Sequence, residues 1–422
     1  MLKKPTASVG FFFAGAAFML FRVYGISRKY WKMECVLKPT LIHGVLAAIM
    51  ATLLLGACGK RDGAAKDGDV IKIGSVSPLT GPQAHLGKDN ENGARLAVDE
   101  INAAGLVIGG KKMHIDLISE DDQADPKIAT TVAQKLVDNG VVGVIGHLNS
   151  GATIPASTIY NNAGIPQISP SATAIAYTAQ GYNTAFRVMT NDEQQGHVLG
   201  QYAVDKLDDK KIAIIDDRTA YGQGLADEFA KAAKAAGAEV VAREYTTDRS
   251  TDFMAILTAI KAKSPDLVFF GGMDPQAAPL TKQLKQLGIN AQVLGGDGMQ
   301  TPEYIKLAGA DAEGEIASNP GLALDAMPGG KAFKDKFTAR FGPIQNYAPY
   351  AYDAVYVLVD AMKRANSADP AKYLPELRKT DYQGVTGHIR FDQKGDVTGG
   401  AVTLYQVKNG AWQPLETVHS KQ

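Results

Sequence analysis

The sequence predicts an α/β protein of two units, each a parallel-rich sheet flanked by helices. Three observations predict it. From residue 70 onward, short apolar runs alternate with amphipathic helical segments, as expected for strands joined by crossover helices. The cycle breaks near Asn191 and then begins again, repeating the architecture but not the sequence. From Gly387 the chain changes to strand-like segments joined by Gln393-Lys394-Gly395-Asp396 and Asn409-Gly410, and Asn-Gly is a strong hairpin signal.

The elements follow in order. Residues 70–76 form an apolar run read as a strand, and residues 90–103 place Ala94, Ala97, Val98 and Ile101 on one helical face. Residues 114–119 alternate as a strand. Asp125-Pro126 then supplies a cap and a first-turn proline, followed by Ile128, Val132 and Leu136 at helical spacing. Gly140 ends that helix. A buried strand (141–145), a helix (153–161) and a strand (167–169) complete the first unit. In the second, strands are expected at 211–216, 239–243, 266–270 and 292–294, with helices at 224–236, 251–261, 276–287 and 302–307. Helices at 331–341 and 350–365 precede strands at 388–391, 402–407 and 412–415.

Composition narrows the function. Lys plus Arg and Asp plus Glu both number 44 in 422 residues. No basic stripe tracks phosphates, so nucleic acid is not expected as a partner. The two cysteines are Cys35 and Cys58. Leu55-Gly56-Ala57-Cys58 closes an apolar run that starts at Leu41, and Gly59, Lys60 and Arg61 follow. The pattern resembles the lipobox of bacterial lipoproteins, which implies lipidation at Cys58 and an extracytoplasmic, periplasmic location. A membrane anchor that happens to end in cysteine is the alternative; the run is short for a span. Residues 1–57 are therefore read as a leader and 58–69 as a linker. Met33 offers a conventional start, so 1–32 are either a start codon placed too far upstream or a real N-terminal helix. With Cys35 in the leader, no internal disulfide remains, and the fold must hold by packing alone.

In open parallel sheets, ligands bind beyond the carboxyl ends of strands. The loops there are 77–82, 146–151, 170–173, 217–222, 271–274 and 295–298. Ser150 and Thr173 place hydroxyls at expected helix starts, where free N–H groups and the helix dipole attract an anion; for either one alone, a plain N-cap is the competing explanation. Asp297, between glycines, suits an ammonium or a simple turn. Tyr221 offers a flat face and a hydroxyl, or packing beneath its loop. An anion site facing a carboxylate suits a small zwitterion.

These loops resemble those of the periplasmic binding proteins for leucine, isoleucine and valine. The carrying stretches are Ser77-Pro78-Leu79-Thr80-Gly81-Pro82, Asp121-Asp122 with Asp125-Pro126-Lys127, Val144-Ile145-Gly146-His147-Leu148, Ser169-Pro170-Ser171-Ala172-Thr173-Ala174, Tyr221-Gly222-Gln223-Gly224-Leu225-Ala226 and Phe391-Asp392-Gln393-Lys394-Gly395-Asp396. The resemblance implies a two-lobed periplasmic binding protein fold of type I, with a three-strand hinge closing on an amino acid. It implies ligand contacts from Ser150, Ser171 (through its backbone), Ala172, Thr173 and Tyr221, and an acidic partner for the ammonium at Asp297, where the best-known members have glutamate. Leu86 and Met273 stand where well-known leucine binders carry tyrosines in the side-chain pocket. Ala124 and Asn149 stand where some members carry a bridging cysteine pair. With crossings near Asn191, residues 319–321 and Val402, lobe one holds 70–190 plus 321–402, and lobe two holds 191–320 plus 403–422.

The expected function is delivery of an apolar amino acid, branched-chain or similar, to the permease of an ABC importer by a monomer without cofactor. A sensory binding protein for a related amino acid, amide or carboxylate is the alternative. Catalysis is not expected. No Gly-x-Ser-x-Gly elbow is present, no metal motif appears, and adjacent Asp121 and Asp122 after a strand point apart. His147 near Ser150 is read as a loop histidine beside a helix start.

Overall fold

The computed structural model describes residues 70–419; the leader, Cys58, the linker and residues 420–422 lie outside the described residues. The first half runs β1 (Val70–Ser77), α1 (Ala84–Ala104), β2 (Leu106–Ile108), β3 (Lys111–Asp121), α2 (Pro126–Asp138), β4 (Gly143–Gly146), α3 (Ser150–Asn162), β5 (Gln167–Ser169), α4 (Ala176–Ala179) and β6 (Ala185–Arg187). The strands form one sheet in the order β2-β3-β1-β4-β5-β6. All its pairings are parallel except β2 with β3.

The second half runs α5 (Asp192–Asp205), β7 (Lys211–Asp216), α6 (Ala220–Ala235), β8 (Glu239–Tyr245), α7 (Met254–Lys261), β9 (Leu267–Gly271), α8 (Asp274–Gln286), β10 (Gln292–Gly295), α9 (Pro302–Ala308) and β11 (Ile316–Asn319). The chain then adds α10 (Gly330–Phe341), α11 (Ala348–Arg364), α12 (Pro370–Leu377), the antiparallel pair β12 (Asp381–Gln383) and β13 (His388–Arg390), and the hairpin β14 (Ala401–Lys408) and β15 (Ala411–His419). A second sheet has the order β15-β14-β11-β10-β9-β7-β8. Its hairpin joins antiparallel to β11, and the other pairings are parallel.

Both sheets are covered on two faces, which is why their strands read as continuous apolar runs. In β7, Ile212 and Ile214 face Leu225 and Phe229 of α6, while Ala213 and Ile215 face Leu257 of α7 and Leu280 of α8. Successive side chains point to opposite faces of a strand, so one run serves two cores. In the first sheet, Val76 and Val144 pack with Leu136 of α2 and Tyr160 of α3, while Ile71 and Ile73 pack with Ala97 of α1 and Leu358 of α11.

Helix starts obey local chemistry. Asp125 caps α2 through Lys127 N (2.7 Å) and Ile128 N (3.2 Å), with Pro126 in the first turn. The expected 90–103 helix begins earlier, at Ala84. Its first turns contain Gly87, a poor helix former, fitted tightly against the Pro78 carbonyl. Thr173 does not open a helix: α4 begins at Ala176 and is four residues long. The expected dipole contribution at Thr173 is therefore withdrawn.

Candidate functional site

Loops from the two sheets meet around a narrow cavity of about 10 Å³ lined by Leu148, Asn149, Ser150, Ser171, Tyr221, Met273, Asp297 and Tyr347. It shares Asn149, Ser150, Tyr221 and Met273 with a larger cleft of about 510 Å³ that includes Gln83, Asp217, Arg218 and Asp248.

The first wall follows β4 and β5. Its two loops are tied together by hydroxyls. Ser169 Oγ donates to the His147 carbonyl (2.8 Å) and accepts from Ala172 N (2.9 Å). Ser171 Oγ donates to the Leu148 carbonyl (3.2 Å) and accepts from Asn90 Nδ2 (3.1 Å). Ser150 Oγ accepts from Ala174 N (3.1 Å). Arg187, fully buried, donates to the carbonyls of Ala172 (2.8 Å) and Ala174 (3.0 Å) on either side of Thr173. The pinning leaves the Thr173 hydroxyl buried beside the Asp192 carboxylate. Ser150 also opens α3, whose first N–H groups have no intrahelical partner. This wall is neutral and presents hydroxyls and a helix N-terminus, which suit negative charge.

The second wall follows β7, β9 and β10 and centres on Asp297. Asp297 Oδ1 accepts from Gln195 Nε2 (3.0 Å) and the Tyr221 hydroxyl (3.0 Å), and Oδ2 from the Tyr347 hydroxyl (2.7 Å). Tyr221 in turn accepts from Gly298 N (3.0 Å). The flanking glycines are required by this crowding. A Cβ at Gly296 would come 2.6 Å from the Tyr221 hydroxyl, and one at Gly298 would come 2.6 Å from Met273 Sδ. Burial pushes the Asp297 carboxyl above its usual range, against the lowering effect of the hydrogen bonds from Tyr347, Gln195 and Tyr221. A buried carboxylate in this state gains by meeting a cation. Nearby Asp192 is fully buried, and the Thr173 hydroxyl approaches its carboxylate. Burial, with the Asp297 charge adding to it, pushes its pKa up to about 8.

Tyr347, like Gln195 on α5, was not expected from the sequence. It precedes α11, a helix packed on α1 beside the first sheet, so strand-end loops do not reveal it. Its position is fixed by Asp89 of α1, fully buried, which accepts from the backbone N–H groups of Gln345 (2.9 Å), Asn346 (3.0 Å), Tyr347 (2.7 Å) and Ala348 (2.9 Å). Asn346 Nδ2 also donates to the Asp297 carbonyl (3.1 Å). The Asn-Tyr-Ala-Pro-Tyr run at 346–350 is another loop entering a helix, and that was the available signal.

Of the expected residues, Ser150, Ser171, Tyr221, Met273 and Asp297 line the cavity together. Leu86, Ala172 and Thr173 are completely buried and are not among its lining residues. His147 is buried with both ring nitrogens engaged: Nδ1 lies 2.7 Å from Asp122 Oδ2 and Nε2 lies 3.1 Å from the Tyr160 hydroxyl. Neither faces Ser150. Asp121 turns the other way and accepts from Leu79 N (2.8 Å) and the Thr80 hydroxyl (2.5 Å). Among the described residues, no group of three or more His, Cys, Asp or Glu is placed to hold a metal ion.

Comparison with known proteins gives a consistent result. Residues 70–411 match the family described as periplasmic binding protein. The leucine-, isoleucine-, valine-, threonine- and alanine-binding protein of Pseudomonas aeruginosa is 37% identical over 339 residues, 80% of this chain and 90% of that one. The Leu/Ile/Val-binding protein homolog 1 of Brucella suis is 38% identical over 379 residues, 89% of this chain and 98% of that one. Among solved structures, the branched-chain amino acid transporter substrate-binding protein LivJ of Streptococcus pneumoniae, in complex with isoleucine, superposes with a TM-score of 0.75 at 30% identity, covering 83% of this chain and all (100%) of that one. The leucine-binding protein LivK of Thermotoga maritima gives a TM-score of 0.77 at 27% identity, covering 82% and 98%. With the fold, the paired walls and these matches together, the chain belongs to the periplasmic binding protein family.

Proposed function

We propose that this protein binds a branched-chain or similar apolar amino acid outside the cytoplasm and presents it to the permease of an ABC importer. The observation that carries this is a buried carboxylate set opposite a wall of hydroxyls and a helix N-terminus across one cavity. Asp297, braced by Tyr221, Tyr347 and Gln195, faces the neutral wall of Ser150 and Ser171, with Thr173 buried behind it. The α-ammonium of the ligand meets Asp297, and its α-carboxylate meets the hydroxyls and the start of α3. Met273 and Leu148 supply an apolar lining for the side chain. No step requires a bond to be made or broken, and the site residues serve as grips and not as catalysts.

Closure is hinged. Lobe one comprises 70–190 plus 321–402 and lobe two 191–320 plus 403–422. In support, the strands up to Arg187 belong to one sheet, while those from Lys211 to Asn319 and from Ala401 onward belong to the other. Tyr347 and Asn346, carried beside the first sheet, bond to Asp297 beyond the second, so these contacts form only when the lobes meet. Lipidation at Cys58 anchors the protein at the membrane surface; mass spectrometry of the membrane-associated protein tests that anchor directly.

A thermal-shift screen of residues 59–422 against the amino acids tests the binding. A ligand selective for the folded state raises the unfolding midpoint. Leucine, isoleucine or valine raising it most is the expected result; no amino acid raising it contradicts the proposal.

A further inference from the structure

One contact bridges the two walls from outside the cavity lining. His85, in the first turn of α1, places Nε2 2.7 Å from Oδ2 of Asp274, the first residue of α8. Each is the sequence neighbour of an expected pocket residue, Leu86 on one side and Met273 on the other. Among the described residues, this is the one ion pair joining a helix on the first sheet to a helix on the second. Asp274 is completely buried. Its Oδ2 also accepts from the Thr301 hydroxyl (2.6 Å), which fixes its aim, and its Oδ1 has no hydrogen-bond partner among the described residues. The His85 side chain keeps only 19% of its surface exposed.

We propose that His85 and Asp274 form a latch that holds the two walls closed over the ligand and tightens the grip as the medium becomes more acidic. The proposal rests on the amino-acid-binding reading above and adds to it a pair that does not touch the ligand. The charges facing His85 are Asp274 and Glu303 from the second-sheet side and Asp89 on α1 itself. Burial alone lowers the imidazole pKa, but the hydrogen bond and charge of Asp274, joined by Glu303 and Asp89, more than offset it, and the net shift is upward.

Separation of the walls removes Asp274 and Glu303 from His85 and leaves Asp89 in place. The closed form therefore holds the proton more tightly than the open form. By linkage, the latch acts at full strength below the open-form pKa, near the usual histidine value of about 6.5. It is lost as pH rises through the higher closed-form value. Ligand binding, which requires closure, weakens over that interval.

The test is calorimetric titration of the full chain with leucine at about pH 6 and about pH 8.5, a range that spans histidine titration, in the natural protein and in His85→Gln. Other buried carboxylates titrate alike in both, so the difference between the two profiles isolates His85. The natural protein is expected to lose roughly 3- to 10-fold in affinity between these values beyond any loss in the variant. Identical pH profiles overturn the latch. Small-angle scattering of the ligand-free protein supplies a readout independent of leucine. The natural protein is expected to be more compact at the lower pH and the variant equally compact at both. If leucine gives no heat at either pH, the binding reading fails, and equal radii of the natural protein at both values overturn the latch on its own terms.

Discussion

The two walls of the site are built in opposite ways. The first is neutral: serine and threonine hydroxyls knit two loops together, and Arg187 pins the carbonyls around Thr173 while turning its own charge toward Asp396 (2.6 Å). The second is charged: three side chains donate to one buried carboxylate, Asp297, in place of water. A neutral wall of dipoles tolerates an empty site at little cost. A buried carboxylate is costlier, and burial pushes its pKa up in spite of the hydrogen bonds from Tyr347, Gln195 and Tyr221. The difference implies that most of the discrimination for an amino group lies on the second wall and that the first wall chiefly sets orientation.

Substitutions sharpen or break that contrast. The largest effect is expected from Asp297→Ala, which leaves the ligand ammonium buried without its counter-charge and costs about 3–5 kcal/mol of leucine affinity by calorimetry. On the opposite wall, Thr173→Val keeps the shape and removes one hydroxyl, so the loss is about 1–2 kcal/mol. Equal losses from the two changes would erase the proposed asymmetry. Tyr347→Phe removes one of three donors to Asp297 and costs about 1 kcal/mol, with the remaining hydrogen bonds from Tyr221 and Gln195 holding the carboxylate.

A separate effect concerns stability and not binding. Asp192 has a folded-state pKa of about 8, against about 3.9 in the unfolded chain. The folded state therefore holds the proton more tightly. This contribution favours folding below the unfolded value and is lost as pH rises through that interval. Asp192→Asn mimics the neutral acid. Its unfolding midpoint is expected to fall less than that of the natural protein as pH rises toward 8, as read by thermal denaturation.

The same contrast explains what was legible in the sequence. Ser150, Ser171, Tyr221, Met273 and Asp297 all follow strands of parallel sheets, where topology directs ligands, and the cavity gathers them. Tyr347 follows no strand. It reaches the site because Asp89, far away in sequence, collects four backbone N–H groups, a long-range event without local signature. The periodic strands and helices were visible because apolar spacing marks them. Helix α5 was not, because its sequence hides its packing. At Gly196 and Gly200 it approaches α6 so closely that added Cβ atoms would lie 2.7 Å and 2.6 Å from the Cβ atoms of Glu228 and Ala232. Contact made in part through glycine weakens the apolar stripe, which includes Val198, Leu199 and Ala203. The three-residue strand β6 ends in Arg187, whose buried charge reads as surface until its partners are seen.

The most direct measurement is a crystal structure of the protein grown with leucine. In that structure the ammonium of leucine is expected within hydrogen-bonding distance of Asp297 and its carboxylate against Ser150 and Thr173, with the walls closed. Leucine lodged elsewhere, or bound with its carboxylate turned toward Asp297, would contradict the proposed binding.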